Sequence, residues 1–179
     1  GALMMRGLAL DNIGRYGESR RLLQQALDIC RAIGYRVGES NILGNLGVNY
    51  EFVGQYAEAV EIQIQALEIS TLLQDVEGES YALSNLTLLH GFMGEWQSAE
   101  KTATQALTLH RQLDDRRSEA FTLTYLGNAL LQADNPAAAR QPFEQAITIR
   151  RELGEDHLVI DCLGGLIAVM QTRQIADQS

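Results

Sequence analysis

A chain of 179 residues that is 46% hydrophobic and 21% charged can bury a packed core and is not composed like a disordered segment. Its net charge of −9 is uneven: residues 1–36 carry six arginines and three acids, residues 37–100 carry ten acids and no lysine or arginine, and residues 101–179 carry eight basic and ten acidic side chains. The acid-only middle would repel a phosphate backbone or an anionic bilayer, so neither nucleic acid nor membrane is an expected partner, and no apolar run is long enough to span a bilayer.

Taken in order, the chain opens with "GALMMRG" in the middle of a pattern, as an excised piece of a longer array would. Apolar periodicity predicts a helix near 2–13, then one near 16–33 after Gly14. Helices near 37–53, 56–73, 76–93, 96–113, 116–133, 136–153 and 156–172 follow. Gly14, Gly54 and Gly94 suit left-handed helix ends, and Gly34, Gln74, Asp114 and Gly154 mark the alternate ends. In the fourth hairpin Asp134 takes the glycine's place, Asn135 can cap the next helix and Pro136 suits its first turn. Pro142 is expected to bend that helix or shift its start.

Written in rows of forty, the sequence agrees column by column. Leu3, Leu43, Leu83, Leu123 and Leu163 form one column, and Leu46, Leu86, Leu126 and Leu166 another, with Arg6 standing in the first row. Gly7, Gly47, Thr87 and Gly127 form a small column, as do Ser19, Ala59, Ala99 and Ala139, and Ala26, Ala66, Ala106 and Ala146. Small columns let two helices approach closely, so each row reads as an antiparallel hairpin that buries its apolar face on its neighbours. The expected fold is an all-α solenoid: one array with repeats at 1–40, 41–80, 81–120 and 121–160, closed by a partial repeat at 161–179.

Catalytic and metal chemistry are not expected. His90 falls in the column of Leu10, Tyr50 and Leu130 and reads as packed; His110 shares one with Cys30, Ser70 and Arg150 and reads as a tolerant, partly exposed position; His157 reads as solvated. No histidine pair has one-turn spacing, so neither a metal nor a cofactor is implied. Cys162 falls in an apolar column, and with Cys30 distant from it the two fit no disulfide framework, which makes a reducing cytoplasm the expected setting.

A second stripe runs along the first helix of three rows, off the packing columns. It reads Asn41, Asn45, Val48, Phe52; then Tyr81, Asn85, Leu88, Phe92; then Phe121, Tyr125, Asn128, Gln132. A solvated helix face should carry charges, and this one carries none. Aromatic side chains supply anchors for a ligand and asparagines can pair with a peptide backbone, so the twelve are the candidate binding residues. The alternative is that the stripe packs adjacent first helices, and Phe52 and Phe92 are the two of the twelve to which a place in the core applies first.

Leu46-Gly47, Tyr50, Gly54, Tyr56, Ala59 and Ala66 resemble the signature of the tetratricopeptide repeat (TPR). "LGNLG" at 43–47 and "YLGN" at 125–128 are similar to the forty-residue repeats of bacterial signal-transduction ATPases, transcription regulators and Leu-Gly-Asn repeat proteins. The resemblance implies a right-handed superhelix of hairpins whose first helices line a concave groove, which makes the stripe a candidate peptide site. Chaperone-binding TPRs clamp a terminal carboxylate with basic side chains; Gly44, Ser84 and Thr124 stand here instead, and no such clamp is expected. The implied role is a non-catalytic scaffold for a protein or peptide, part of a larger cytoplasmic bacterial regulator in signal transduction. Thirteen arginines against one lysine fit a GC-rich bacterial source. The alternative is a sensor domain of a signal-transduction ATPase or transcription regulator that binds a small-molecule inducer. End-to-end self-association is a further expectation, because unfinished stacks expose apolar faces.

Overall fold

The computed structural model describes residues 1–176, with side chains to residue 170, so residues 177–179 of the expected closing repeat lie outside the described residues. Among the described residues it is all-helical: α1 (Ala2–Asp11), α2 (Tyr16–Ala32), α3 (Arg36–Phe52), α4 (Tyr56–Leu73), α5 (Val76–Phe92), α6 (Trp96–Gln112), α7 (Arg116–Gln132), α8 (Pro136–Glu152) and α9 (Asp156–Ala176). Each expected helix is present, with its ends within a few residues of the expected ones.

The breaks between helices are built alike. A left-handed residue stands at 14, 34, 54, 74, 94, 114, 134 and 154, one every twenty residues, five of them glycine and three Gln74, Asp114 and Asp134. At each break the next amide reaches back five residues, as Arg15 N does to Leu10 O and Glu155 N to Arg150 O, so the last turn of the helix keeps a partner for its carbonyls. Asp115 and Asn135 add side-chain caps, accepting from Ser118 N and Ala138 N. Despite Pro142, α8 still begins at Pro136.

Packing divides the chain into two compact units, Gly1–Asn85 and Leu86–Ser179, with the division falling inside α5. The core of the first is made by Leu23, Leu27, Ile42, Leu43, Leu46, Ala66 and Ile69. That of the second includes Leu123, Leu126, Leu130, Phe143, Ile147, Val159 and Cys162, the last as buried as its column implies.

Within each unit the hairpins close by matching sizes across the helix pair. A Cβ on Gly7 would lie 3.1 Å from Leu23, one on Gly47 2.5 Å from Gln63, and one on Gly127 2.7 Å from Phe143. In the remaining hairpin the first helix carries Thr87 and the place of Leu23, Gln63 and Phe143 falls to Ala103. Where one side is large, the other is bare.

Several polar side chains are buried in this packing. Asn49 is fully buried; its Nδ2 donates to Asp11 Oδ1 at 2.7 Å and to Tyr16 O at 3.0 Å, and its Oδ1 accepts from Arg20 Nε at 2.9 Å. The Arg20 guanidinium also lies 3.8 Å over the Tyr50 ring, so each group in the network has a partner. Glu39, on the first turn of α3, is buried between Arg31 and Arg36; Glu119 is held in the same way by Arg111 and Arg116, eighty residues on.

His110 corrects the sequence reading: the expected partly exposed position is fully buried. Its column faces the start of the following first helix, where a Cβ on Gly38 would meet Cys30 Sγ at 3.0 Å and one on Gly78 would meet Ser70 Oγ at 2.6 Å. Burial lowers the pKa of His110 from its ordinary 6.5, with Asp115 and Glu119 opposing the shift. At Glu39 burial raises the carboxyl, but Arg31 and Arg36 together outweigh it and hold the pKa below 4.5. Both groups therefore bind protons more readily in the unfolded chain. The stability that these two groups contribute should be full above pH 6.5, fall first as His110 is protonated and again below 4.5 as Glu39 is, while Glu51, whose burial raises its carboxyl pKa, works the other way. Urea midpoints followed from pH 8 to pH 2 should show both steps, and His110→Ser, which places here the residue found at 70, should remove the first.

Candidate functional site

None of the twelve stripe residues is buried. Their positions on the first helices follow from the packing columns: Leu43 and Leu46 turn one side of α3 into the core, which leaves Asn41, Asn45 and Val48 on another face. In the first unit Asn41, Asn45 and Val48 of α3 and Tyr81 and Asn85 of α5 line one groove of about 350 Å³. Met4 of α1, Ser40 and Gly44 of α3, Gln63 and Ala66 of α4, and Gly78 and Ala82 of α5 complete it. Every residue of this lining is uncharged. Asn45 Nδ2 donates to Asn41 O at 2.8 Å, one turn back on the same helix, which fixes its carboxamide on the helix face.

Phe52 is not part of this groove. It is 57% exposed and stacks on Tyr16, ring centroids 5.4 Å apart. Phe92 is 44% exposed. A place in the core for these two is overturned: each is the last residue of its helix, where the chain turns away and leaves the ring partly exposed. In the second unit Leu88 is half-buried, Phe121 and Tyr125 lie side by side with centroids 6.3 Å apart, and Asn128 and Gln132 are exposed.

Two groups beside the stripe escaped the sequence reading. Gln63 is fully buried at the groove floor, although its type suggests a solvated face; its column, shared with Leu23, Ala103 and Phe143, was the available signal. Arg150 is buried in the second unit with its guanidinium 4.5 Å over the Phe121 ring, and Glu155 lies 3.7 Å from it.

A second recess, about 500 Å³, lies in the second unit among Arg111, Arg116, Glu119, Gln141, Glu144 and their neighbours, and holds no stripe residue. Its two arginines are already engaged by Glu119, and Arg116 also by Glu152. His90, expected to be packed, is half-buried and shares a hydrogen bond with Glu95 at 2.7 Å. Among the described residues no group of His, Cys, Asp and Glu is placed to hold a metal ion, and no helix is long and apolar enough to cross a membrane.

A sequence model of the tetratricopeptide repeat matches residues 2–71 and 79–152. The chain belongs to the TPR family. No curated protein matches it significantly. Among solved structures, this TPR chain is similar to the nearly identical TPR-like repeats of a candidate kinesin light chain from Podosopora anserina. One form of those repeats aligns at 17% identity with a TM-score of 0.74, over 99% of this chain and 91% of that one. A second form aligns at 17% identity with a TM-score of 0.72, over 99% and 96%. BtubC (BKLC) from P. vanneervenii aligns at 17% identity with a TM-score of 0.62, over 97% and 79%. At that identity the likeness concerns the TPR fold.

Proposed function

We propose that this TPR chain is a non-catalytic scaffold that binds a protein or peptide segment along the first-helix stripe. The observation that carries the reading is the uncharged groove of the first unit, where three asparagines and a tyrosine converge on one trough. A charged ligand would lose its hydration there without a counter-charge, whereas a peptide backbone would find donors and acceptors. We place the chain, as one array of repeats at 1–40, 41–80, 81–120, 121–160 and 161–179, within a larger cytoplasmic bacterial regulator of the forty-residue repeat type. The "LGNLG" and "YLGN" stretches and the arginine-rich composition support that placement. The competing occupant is a small-molecule inducer, since a groove of about 350 Å³ is within the size range of such sites.

The test uses a peptide selected by the chain from a displayed random library, measured by titration calorimetry. Asn85→Ala should weaken its binding by about 1–3 kcal/mol, because backbone groups of the peptide are left unpaired. Asn85 is half-buried and lies off the packing columns, so the variant should melt like the parent. Leu86→Ala, one residue on and 3% exposed, should lose about 2–5 kcal/mol of stability through a cavity. If Asn85→Ala melts as early as Leu86→Ala, the stripe is packing and the reading fails. A chain that binds metabolites from a library and no peptide would favour the inducer.

A further inference from the structure

In the second unit α9 packs on α7 and α8 through Val159, Cys162 and Val169. The next side of the helix carries another apolar line, Ile160, Leu163, Ile167 and Met170, which are 68, 41, 55 and 68% exposed. In the complete hairpins this side of the first helix faces the second helix. Ser40 Oγ donates to Ala66 O of α4 at 3.1 Å, and a Cβ on Gly47 or Gly127 would run into Gln63 or Phe143. The residues there are small: Ser40, Ser80 and Ala120 share a column with Ile160, and Gly7, Gly47, Thr87 and Gly127 share one with Ile167. Bulk at both places keeps a helix from approaching α9 as α4 approaches α3 or α8 approaches α7, because overfilled contacts are costly. Steps of three and four residues instead make the seam of two helices that interlock large side chains. Beside it a Cβ on Gly164 would meet nothing within 4 Å, so the flank of the seam is open.

We propose that two copies of the chain pair along this seam, α9 against α9 and antiparallel about a two-fold axis. Each α9 then takes the place that a second helix holds in the other hairpins. The line suits its own copy because it is uncharged and interlocks in that direction, Ile160 meeting Met170 and Leu163 meeting Ile167. Residues 162–170 carry no charge, so a charged partner has nothing to hold there. Direction follows from Asp156, which is exposed on the same line one turn before Ile160. Parallel copies would set the two carboxylates face to face, whereas antiparallel copies carry them to opposite ends. With on the order of 100 Å² for each of these side chains, two copies cover roughly 800 Å² of apolar surface, below the ~1,200 Å² of lasting complexes. The pairing is therefore weak and reversible. It uses no residue of the stripe and stands apart from the peptide reading.

The experiment is sedimentation velocity on the full 179-residue chain from micromolar to near-millimolar concentration. A monomer should pass to a dimer and no further, as a closed two-fold contact requires. Leu163→Glu and Ile167→Lys each put a charge on the seam and should each weaken the dimer at least about tenfold. Mixed in equal amounts, the two variants should regain a dimer. Antiparallel copies then set the new glutamate against the new lysine at one contact and keep the parent pair of Leu163 and Ile167 at the other. Both positions are exposed, so both variants should keep the parent's melting temperature in dilute solution. Should either melt early, disulfide trapping takes their place. Ile160→Cys and Met170→Cys chains, mixed and oxidised, should cross-link to each other in preference to their own kind, since the native Cys30 and Cys162 are buried. A chain that stays monomeric over the whole range, or grows beyond a dimer, overturns the proposal. A dimer that neither charge weakens does so as well, because its contact lies elsewhere. A mixture that regains no dimer, or cysteine chains that link only to their own kind, overturns the antiparallel seam.

Discussion

Phe143→Ala should destabilise the second unit by about 3–5 kcal/mol, read from chemical denaturation followed by circular dichroism. The ring is fully buried and fills the space left by two glycines: a Cβ on Gly127 would lie 2.7 Å from it, and one on Gly165 2.3 Å. No neighbouring side chain can slide into that space without moving α7 or α9, so most of the cavity should stay open. The reverse change, Gly127→Thr, should also be costly, by about 1–3 kcal/mol or more, because the added atoms meet an aromatic ring that has nowhere to go. Combining the two recreates the pair of the preceding hairpin, where Thr87 and Ala103 occupy these places. The double variant should therefore be less destabilised than the sum of the singles by at least about 1 kcal/mol. Additive losses would mean that the bare glycine and the large ring are not matched, and that closeness of α7 and α8 has another cause.

The helices were legible in the sequence because two local signals coincide every twenty residues. A residue suited to the left-handed region ends one helix, and an apolar column restarts in the next. Gln74, Asp114 and Asp134 carry that signal without being glycine, and the backbone takes the same shape at all three. The stripe was legible in part, because Asn41, Asn45 and Val48 lie off columns that the leucines define, and the structure leaves all three unburied. What escaped was the identity of the buried polar groups. Asn49, Gln63, His110 and Arg150 are at most 2% exposed, yet each looks like surface when its type alone is read. Burial follows the column, whereas polarity follows a partner that is distant in sequence. Asn49 is satisfied by Asp11, Tyr16 and Arg20, up to 38 residues away, and no spacing rule announces that set. Phe52 and Phe92 failed in the opposite direction, since a large ring at a helix end has no next turn to cover it.

Glu155→Ala should cost the second unit about 3–5 kcal/mol, while Arg150→Met should leave it within about 1 kcal/mol of the parent. The asymmetry follows from who else holds each charge. Arg150 is 2% exposed, and two of its guanidinium nitrogens, Nε and Nη1, make no hydrogen bond, so Glu155 at 3.7 Å is the counter-charge that keeps it tolerable inside the fold. Removing that carboxylate strands a cation that cannot shed its proton. Glu155, in contrast, has a second partner: Arg117 Nε lies 2.6 Å from its Oε1, on a side chain that is 68% exposed and well hydrated. Replacing Arg150 by methionine leaves that pair intact, fills nearly the same volume and ends the cost of the orphaned nitrogens. Against this gain stands the loss of the guanidinium from the Phe121 ring 4.5 Å away, worth about 0.5–2 kcal/mol, so the two terms nearly cancel. Thermal melts of both variants decide the matter. Equal losses would place the stabilisation in the ion pair itself, and a larger loss for Arg150→Met would place it in the contact with Phe121, which would tie the buried arginine to the shape of the stripe above it.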